Sequence, residues 1–110
     1  SGGYNIVFRG KPVKHHNYWD GTLLQAYHPW GYSDLAKLVD RYTAKERKEI
    51  QKGDIFTWAE ENARLSRYTV ARGVGFEVTR LMSNEDVKHA ERQIVCAGYR
   101  LAALFNEIFK

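Results

Sequence analysis

The 110-residue sequence is sparing with residues that staple or interrupt a chain: it holds one cysteine, two prolines and one methionine. With Cys96 alone, no disulfide can form within these residues. Cys96 falls in an apolar stretch of a predicted helix, where a buried, inert thiol is expected. No run approaches the ~18 apolar residues that a membrane-spanning helix requires, and no signal-peptide pattern opens the sequence. Internal repeats, low-complexity tracts and clear linkers are also missing. The length fits one domain, residues 1–110, or part of one, with room for a modest core.

The charge balance is mildly basic, +4 from 17 lysines and arginines against 13 acidic residues. That favours polyanionic partners only weakly, and part of it lies in the mixed run Lys45-Glu46-Arg47-Lys48-Glu49, which reads as a solvated helix. Charge alone therefore supplies no nucleic-acid footprint.

Asn5-Ile6-Val7-Phe8-Arg9, bounded by Gly2-Gly3 and Gly10-Lys11-Pro12, predicts a short strand or half of a hairpin. Pro12 delays the first helix to about Lys14 or His15; Leu23, Leu24 and Tyr27 continue its apolar side, Gly21 weakens it, and His28-Pro29-Trp30-Gly31 ends it. His28 has no carboxylate at ligand spacing and reads as a loop residue. Ser33 is the expected cap of a second helix through Leu35, Leu38, Val39 and Tyr42. Thr43 and Glu46 form a capping-box pattern for a short polar helix ending near Gly53. Asp54 is placed to cap a longer helix with the stripe Ile55, Phe56, Ala59, Ala63, Ser66 and Val70, stopped by Gly73 and Gly75. Ser83 and Asp86 suggest another capping box, ahead of the cleanest periodicity in the chain: Val87, Ala90, Ile94, Ala97, Leu101, Leu104 and Ile108. That stripe is expected to be core. Gly98 suggests a close helix approach, Arg100 a cap or a pairing partner inside the bundle, and His89 an exposed position. The fold class is mainly α, a bundle of about four to five helices with one short β-strand or hairpin at the N-terminus.

Lys14-His15-His16-Asn17-Tyr18-Trp19-Asp20 alone gathers residue types that can do chemistry. His16 and Asp20 are four apart, so on a helix imidazole and carboxylate project from one face about a turn apart. Such a pair is a two-ligand metal set suited to zinc. It is equally the composition of a plain surface pair or a cap. Glu60 and Glu61 are adjacent carboxylates that point in different directions on a helix, a solvated face more readily than an acid-base couple.

Gly2-Gly3, the apolar run to Phe8, Gly10, His16 and Trp19-Asp20 resemble a Gly-Gly-Asn, Phe-x-Gly, Asn-Leu-His-x-x-Trp-Asp series of the S1/P1 (class I) nuclease family, with spacing kept from Gly10 onward. Upstream of Gly10 the segment is shorter than in the family, and Tyr4 stands where the family has Asn. Trp58-Ala59-Glu60-Glu61-Asn62 is similar to the family's Trp-x-x-Glu-Ser, and Ala97-Gly98-Tyr99-Arg100-Leu101-Ala102 with Asn106 to its closing Ala-Gly-x-Arg-Leu-Ala-x-x-Leu-Asn. The landmarks occur in the family's order and match its carboxy-terminal portion.

The resemblance implies a phospholipase C/P1 nuclease-like helical fold and zinc-dependent cleavage of single-stranded RNA or DNA and of 3'-nucleotides. It implies a trinuclear zinc cleft in which metals activate water and bind phosphate. His16 and Asp20 correspond to two ligands of one zinc, Trp19 to a packing residue, and Glu61 to a packing or hydrogen-bonding group near the site. The remaining ligands belong to an upstream segment with no counterpart here, so the chain is expected to supply part of one site and to be inactive without that segment. Family members are typically secreted, which implies an extracytoplasmic location. Tyr4, Tyr18 and Trp30 offer rings for base stacking or for packing. The competing reading is a non-enzymatic basic helical module that binds RNA or a protein partner; a related zinc phospholipase matches the landmarks less well.

Overall fold

The computed structural model describes residues 3–69 and 72–109, with the side chains of residue 32 and residues 65–69 outside the description. Strand β1 (Asn5–Phe8) pairs antiparallel with β2 (Lys11–Lys14) in the register Ile6 to Val13 and Phe8 to Lys11. Arg9 and Gly10 form the two-residue connection with φ of 53° and 76°. Both residues in the left-handed region is the signature of the hairpin turn that matches strand twist, and Gly10 takes it without cost. Alternation along β1 buries Ile6 and Phe8 and leaves Asn5 in solvent. Pro12 sits on β2, an edge strand, where a missing N–H is tolerated.

A third strand, β3 (Glu77–Val78), was not expected from the sequence; it lies parallel to β1 on the other side, giving the order β2-β1-β3. Two residues are too few to show alternation, so the strand has no sequence signature of its own.

Helix α1 (His15–Asn17) runs into a π-helical segment (Tyr18–Thr22) and then α2 (Leu23–Tyr27). Helices α3 (Tyr32–Asp40), α4 (Ala44–Gln51) and α5 (Ile55–Thr69) follow, and α6 (Arg80–Ile108) closes the chain. At about 1.5 Å per residue, the 29 residues of α6 make it the spine of a molecule whose longest extent is 48 Å. One end of α6 carries a core of Ile6, Phe8, Tyr18, Leu23, Val78, Val87 and Ala90; the other carries Leu38, Ile50, Val95, Cys96 and Tyr99. Among the described residues no helix is long and apolar enough to cross a membrane.

The Thr43 capping box is complete: Thr43 Oγ1 accepts from the Glu46 amide at 3.1 Å, and Glu46 Oε1 accepts from the Thr43 amide at 2.9 Å. These bonds hold the Glu46 carboxyl below its ordinary pKa, so its contribution is present above the unfolded carboxylate range and is lost as pH falls through it. Thr43→Ala is expected to cost about 1 kcal/mol, read as a lower melting point that α4 amide exchange localises. Asp54 Oδ1 likewise accepts from the Phe56 and Thr57 amides, as expected of a cap.

Other expectations fail for definable reasons. Helix α3 starts at Tyr32 behind Gly31, and Ser33 makes no cap. Helix α6 starts earlier than expected, behind Thr79, whose side chain accepts from the Met82 amide. Ser83 and Asp86 are therefore interior helix residues, and both are buried. The α6 stripe is core only through Val87 and Ala90; Leu101 and Ile108 are exposed, while Val95, Cys96 and Tyr99 are buried. The covered face changes because α2 and the sheet pack against the first half and α3 and α4 against the second, and one residue rotates the helix face by about 100°. In α5 the expected stripe Ile55, Phe56, Ala59 and Ala63 is exposed and Trp58 is buried; the side chain of Ser66 and all of Val70 lie outside the described residues. Gly98 serves no close approach, since a Cβ there would meet nothing within 4 Å.

Cys96 is a free, buried thiol as expected. Burial pushes its pKa up. A thiol reagent at neutral pH is expected to label it only at the rate of unfolding; rapid labelling of the native protein would place the residue at the surface.

Candidate metal centre

The stretch from His15 to Asp20 divides sharply between interior and solvent. His15 is buried and stacks on Tyr4, with ring centroids 5.0 Å apart and planes at 25°; its Nε2 is buried without a hydrogen-bond partner among the described residues. Tyr18 is wholly buried, and Trp19 packs edge-on against it at 5.3 Å. His16 and Asn17 between these anchors, and Asp20 just after them, are exposed. Of two adjacent histidines, the one at ligand spacing is thus the one in solvent.

The π-helical segment explains how so many large side chains turn inward. Its register is shown by the Leu23 amide, which donates to the Tyr18 carbonyl five residues back. In an α-helix residues five apart diverge by about 140°, whereas the π turn stacks them, and both Tyr18 and Leu23 are fully buried. The pair His16 and Asp20 therefore stands on a helix that changes hydrogen-bond register between them, not on the plain α-helix expected from spacing. Such π segments are frequent at functional sites. The Nδ1 edge of His16 lies against Gly3, where a Cβ would come within 3.5 Å of that nitrogen and the φ of +73° favours glycine.

Behind the pair sits a buried polar network that sequence reasoning missed. The Tyr18 hydroxyl donates to Asp86 Oδ2 at 2.7 Å. Arg72 grips the same carboxylate in a fork, Nη1 to Oδ2 and Nη2 to Oδ1, the latter at 2.8 Å. Burial, and then the hydrogen bond to Asp86, drive the Tyr18 pKa far upward, so the phenol is a permanent neutral donor. Hydrogen bonding to Asp86 raises the Arg72 pKa further. The available signal was Asp86 itself, one position before Val87 and four before Ala90 on an otherwise apolar stripe. A carboxylate in that place needs a buried cation or donors.

The two distal landmarks meet each other. Arg100 donates to Glu61 Oε2 at 2.6 Å and to the Ile50 carbonyl at 3.0 Å, and its guanidinium lies over Trp58 at 5.5 Å. Arg100 thus pairs inside the bundle as expected, and Glu61 is a packing and hydrogen-bonding residue; Glu60 is exposed. His28, expected as a loop residue, does follow α2, and its partner is Glu91 on α6 at 2.6 Å. Of the three candidate stacking rings, Tyr4 and Tyr18 are used internally and Trp30 is 79% exposed.

His16 and Asp20 make no hydrogen bond or ion pair that the described residues supply, and no group of three or more His, Cys, Asp or Glu among those residues could hold a metal. An exposed imidazole and carboxylate with no partner among the described residues are donors of the type that zinc accepts. No curated protein and no solved structure matches the chain. The sequence model of the S1/P1 nuclease family, by contrast, matches residues 1–110, the full length, and the chain belongs to that family of phosphodiester-cleaving enzymes.

Proposed function

We propose that the chain is the carboxy-terminal portion of a zinc-dependent phosphodiesterase acting on single-stranded RNA or DNA and on 3'-nucleotides. In this reading His16 and Asp20 hold part of one site of a trinuclear zinc centre, and an upstream segment of the same protein supplies the other ligands. The observation that carries it is the exposure of His16 and Asp20, both without a partner among the described residues, on a helix that Tyr18 and Trp19 anchor to the interior. Exposed Ile55, Phe56, Leu101 and Phe105 add an apolar surface of the kind that receives another segment. Secretion, or another extracytoplasmic location, belongs to the same reading through the family.

Bound zinc would polarise phosphate oxygens and lower the pKa of a bound water toward about 7. The chain's own part is to present an imidazole nitrogen and a carboxylate oxygen four residues apart on one helix. Holding them apart from competing cations and donors keeps both available. Gly3, at a φ of +73°, places backbone beside the Nδ1 edge of His16. Trp19, packed between Tyr18 and Arg72, keeps the following Asp20 at the helix surface.

The test is cleavage of single-stranded nucleic acid by the protein with its upstream segment. Activity lost in chelator and restored by zinc supports the reading. Binding that persists in chelator and falls steeply with salt, without cleavage, would instead identify a basic RNA-binding module.

A further inference from the structure

We propose that Arg72 is a positioning residue for the His16–Asp20 pair: fixed by Asp86, it sets the orientation of the ligand helix through Tyr18 and Trp19. This rests on the zinc reading above. The need for such a residue follows from the local structure. Helix α1, the π segment and α2 make one short run from His15 to Tyr27 with a register change inside it, and a helix of about that length is marginal without tertiary packing. The directions of His16 and Asp20 must come from tertiary contacts.

Those contacts converge on Arg72. Its guanidinium shares the Asp86 carboxylate with the Tyr18 hydroxyl and lies 5.7 Å from the Trp19 ring and 5.4 Å from the Phe76 ring. Its carbonyl accepts the Tyr4 hydroxyl, and Tyr4 in turn stacks on His15. The inward-facing neighbours of the ligands, His15, Tyr18 and Trp19, are thus all tied to one residue. Asp86 has no exposure and belongs to α6, so the anchor point is the rigid spine of the molecule. The task demands arginine: the planar fork engages both carboxylate oxygens while its face stacks on rings, and a lysine ammonium can do neither together. Arg72 does not contact the metal in this scheme; it acts through the residues on either side of the ligands.

The experiment titrates the full chain with Co²⁺ and Zn²⁺, comparing wild type, Tyr18→Phe, Arg72→Lys and His16→Ala, and follows amide exchange of residues 19–23 without metal. The expected result is a Co²⁺ affinity lowered by about 10–100-fold in Tyr18→Phe and Arg72→Lys, with a shifted ligand-field band and faster exchange of the Leu23 amide. A purely structural role would reduce the band in proportion to the folded fraction and leave its wavelength and the affinity per folded molecule unchanged, which overturns the proposal. Tyr18→Phe removes a single oxygen and keeps Arg72 on Asp86, so where Arg72→Lys fails to fold it still decides whether the network reaches the ligands through Tyr18. Loss of binding in His16→Ala alone, with the other variants like wild type, refutes positioning and leaves the zinc reading intact. Binding indifferent to His16→Ala refutes both.

Discussion

If His16 is a zinc ligand as proposed, replacing it with alanine is expected to lower nucleic-acid cleavage by the protein joined to the proposed upstream segment by more than about 100-fold, since groups that merely orient metal ligands already contribute ~10–100-fold. The fold should not notice. His16 is exposed and makes no hydrogen bond or ion pair with the described residues, and substitutions of that kind stay within about 0.5 kcal/mol. Asp20→Asn should behave similarly, because it keeps the shape of the side chain and removes the charge that a divalent cation requires. Activity within a few-fold of wild type in either variant, at full zinc occupancy, would make the pair an ordinary surface feature. His15→Ala is the informative contrast: it removes a buried ring stacked on Tyr4, so its loss should appear in stability before it appears in cleavage.

Asp86→Ala is expected to be the most damaging single change to the fold. It leaves the Arg72 guanidinium, whose side chain is 12% exposed, without its carboxylate, and strands the buried Tyr18 hydroxyl. Removing one partner of a buried ion pair costs about 3–5 kcal/mol, a large share of the ~5–15 kcal/mol that stabilises a typical domain. Thermal unfolding should show the loss as a drop of roughly 12 °C or more. Removing both charges with apolar replacements should be milder, because no uncompensated charge remains inside. Glu85→Ala, one residue away, provides the control. Its 3.2 Å pair with Lys88 is about two-thirds exposed on both sides, and such pairs contribute about 0–1 kcal/mol. Equal effects of the two substitutions would mean that the Tyr18–Asp86–Arg72 network does not hold the helix.

The sequence is most legible where structure is local. The hairpin could be read from Ile6 and Phe8 and the glycines around them, the start of α4 from Thr43 and Glu46, and the start of α5 from Asp54, because each involves residues within a few positions of one another. Legibility fails where a distant element decides. Ser83 and Asp86 have the composition of a capping box, yet Thr79 caps the helix and Asp86 is claimed by Arg72 and Tyr18. Periodicity located α6 correctly but could not show that its covered face rotates from Val87 and Ala90 to Val95, Cys96 and Tyr99. Strand β3 exists because β1 offers it a free edge. At the candidate site, spacing offered His16 and Asp20 as a pair, and the resemblance to the nuclease family favoured them as ligands. Spacing could not show that the helix between them turns π-helical, since that depends on Tyr18 and Leu23 sharing one buried face. Nor could it separate His15 from His16 by burial.

Zinc content after dialysis against a mild chelator, compared between the chain as isolated, Asp20→Ala and His16→Ala, tests the ligand assignment most directly. On the proposed reading, zinc is held weakly by the chain alone, tightly once the proposed upstream segment is supplied, and lost in both variants under either condition. Zinc retained equally by both variants would contradict the assignment of His16 and Asp20 as ligands.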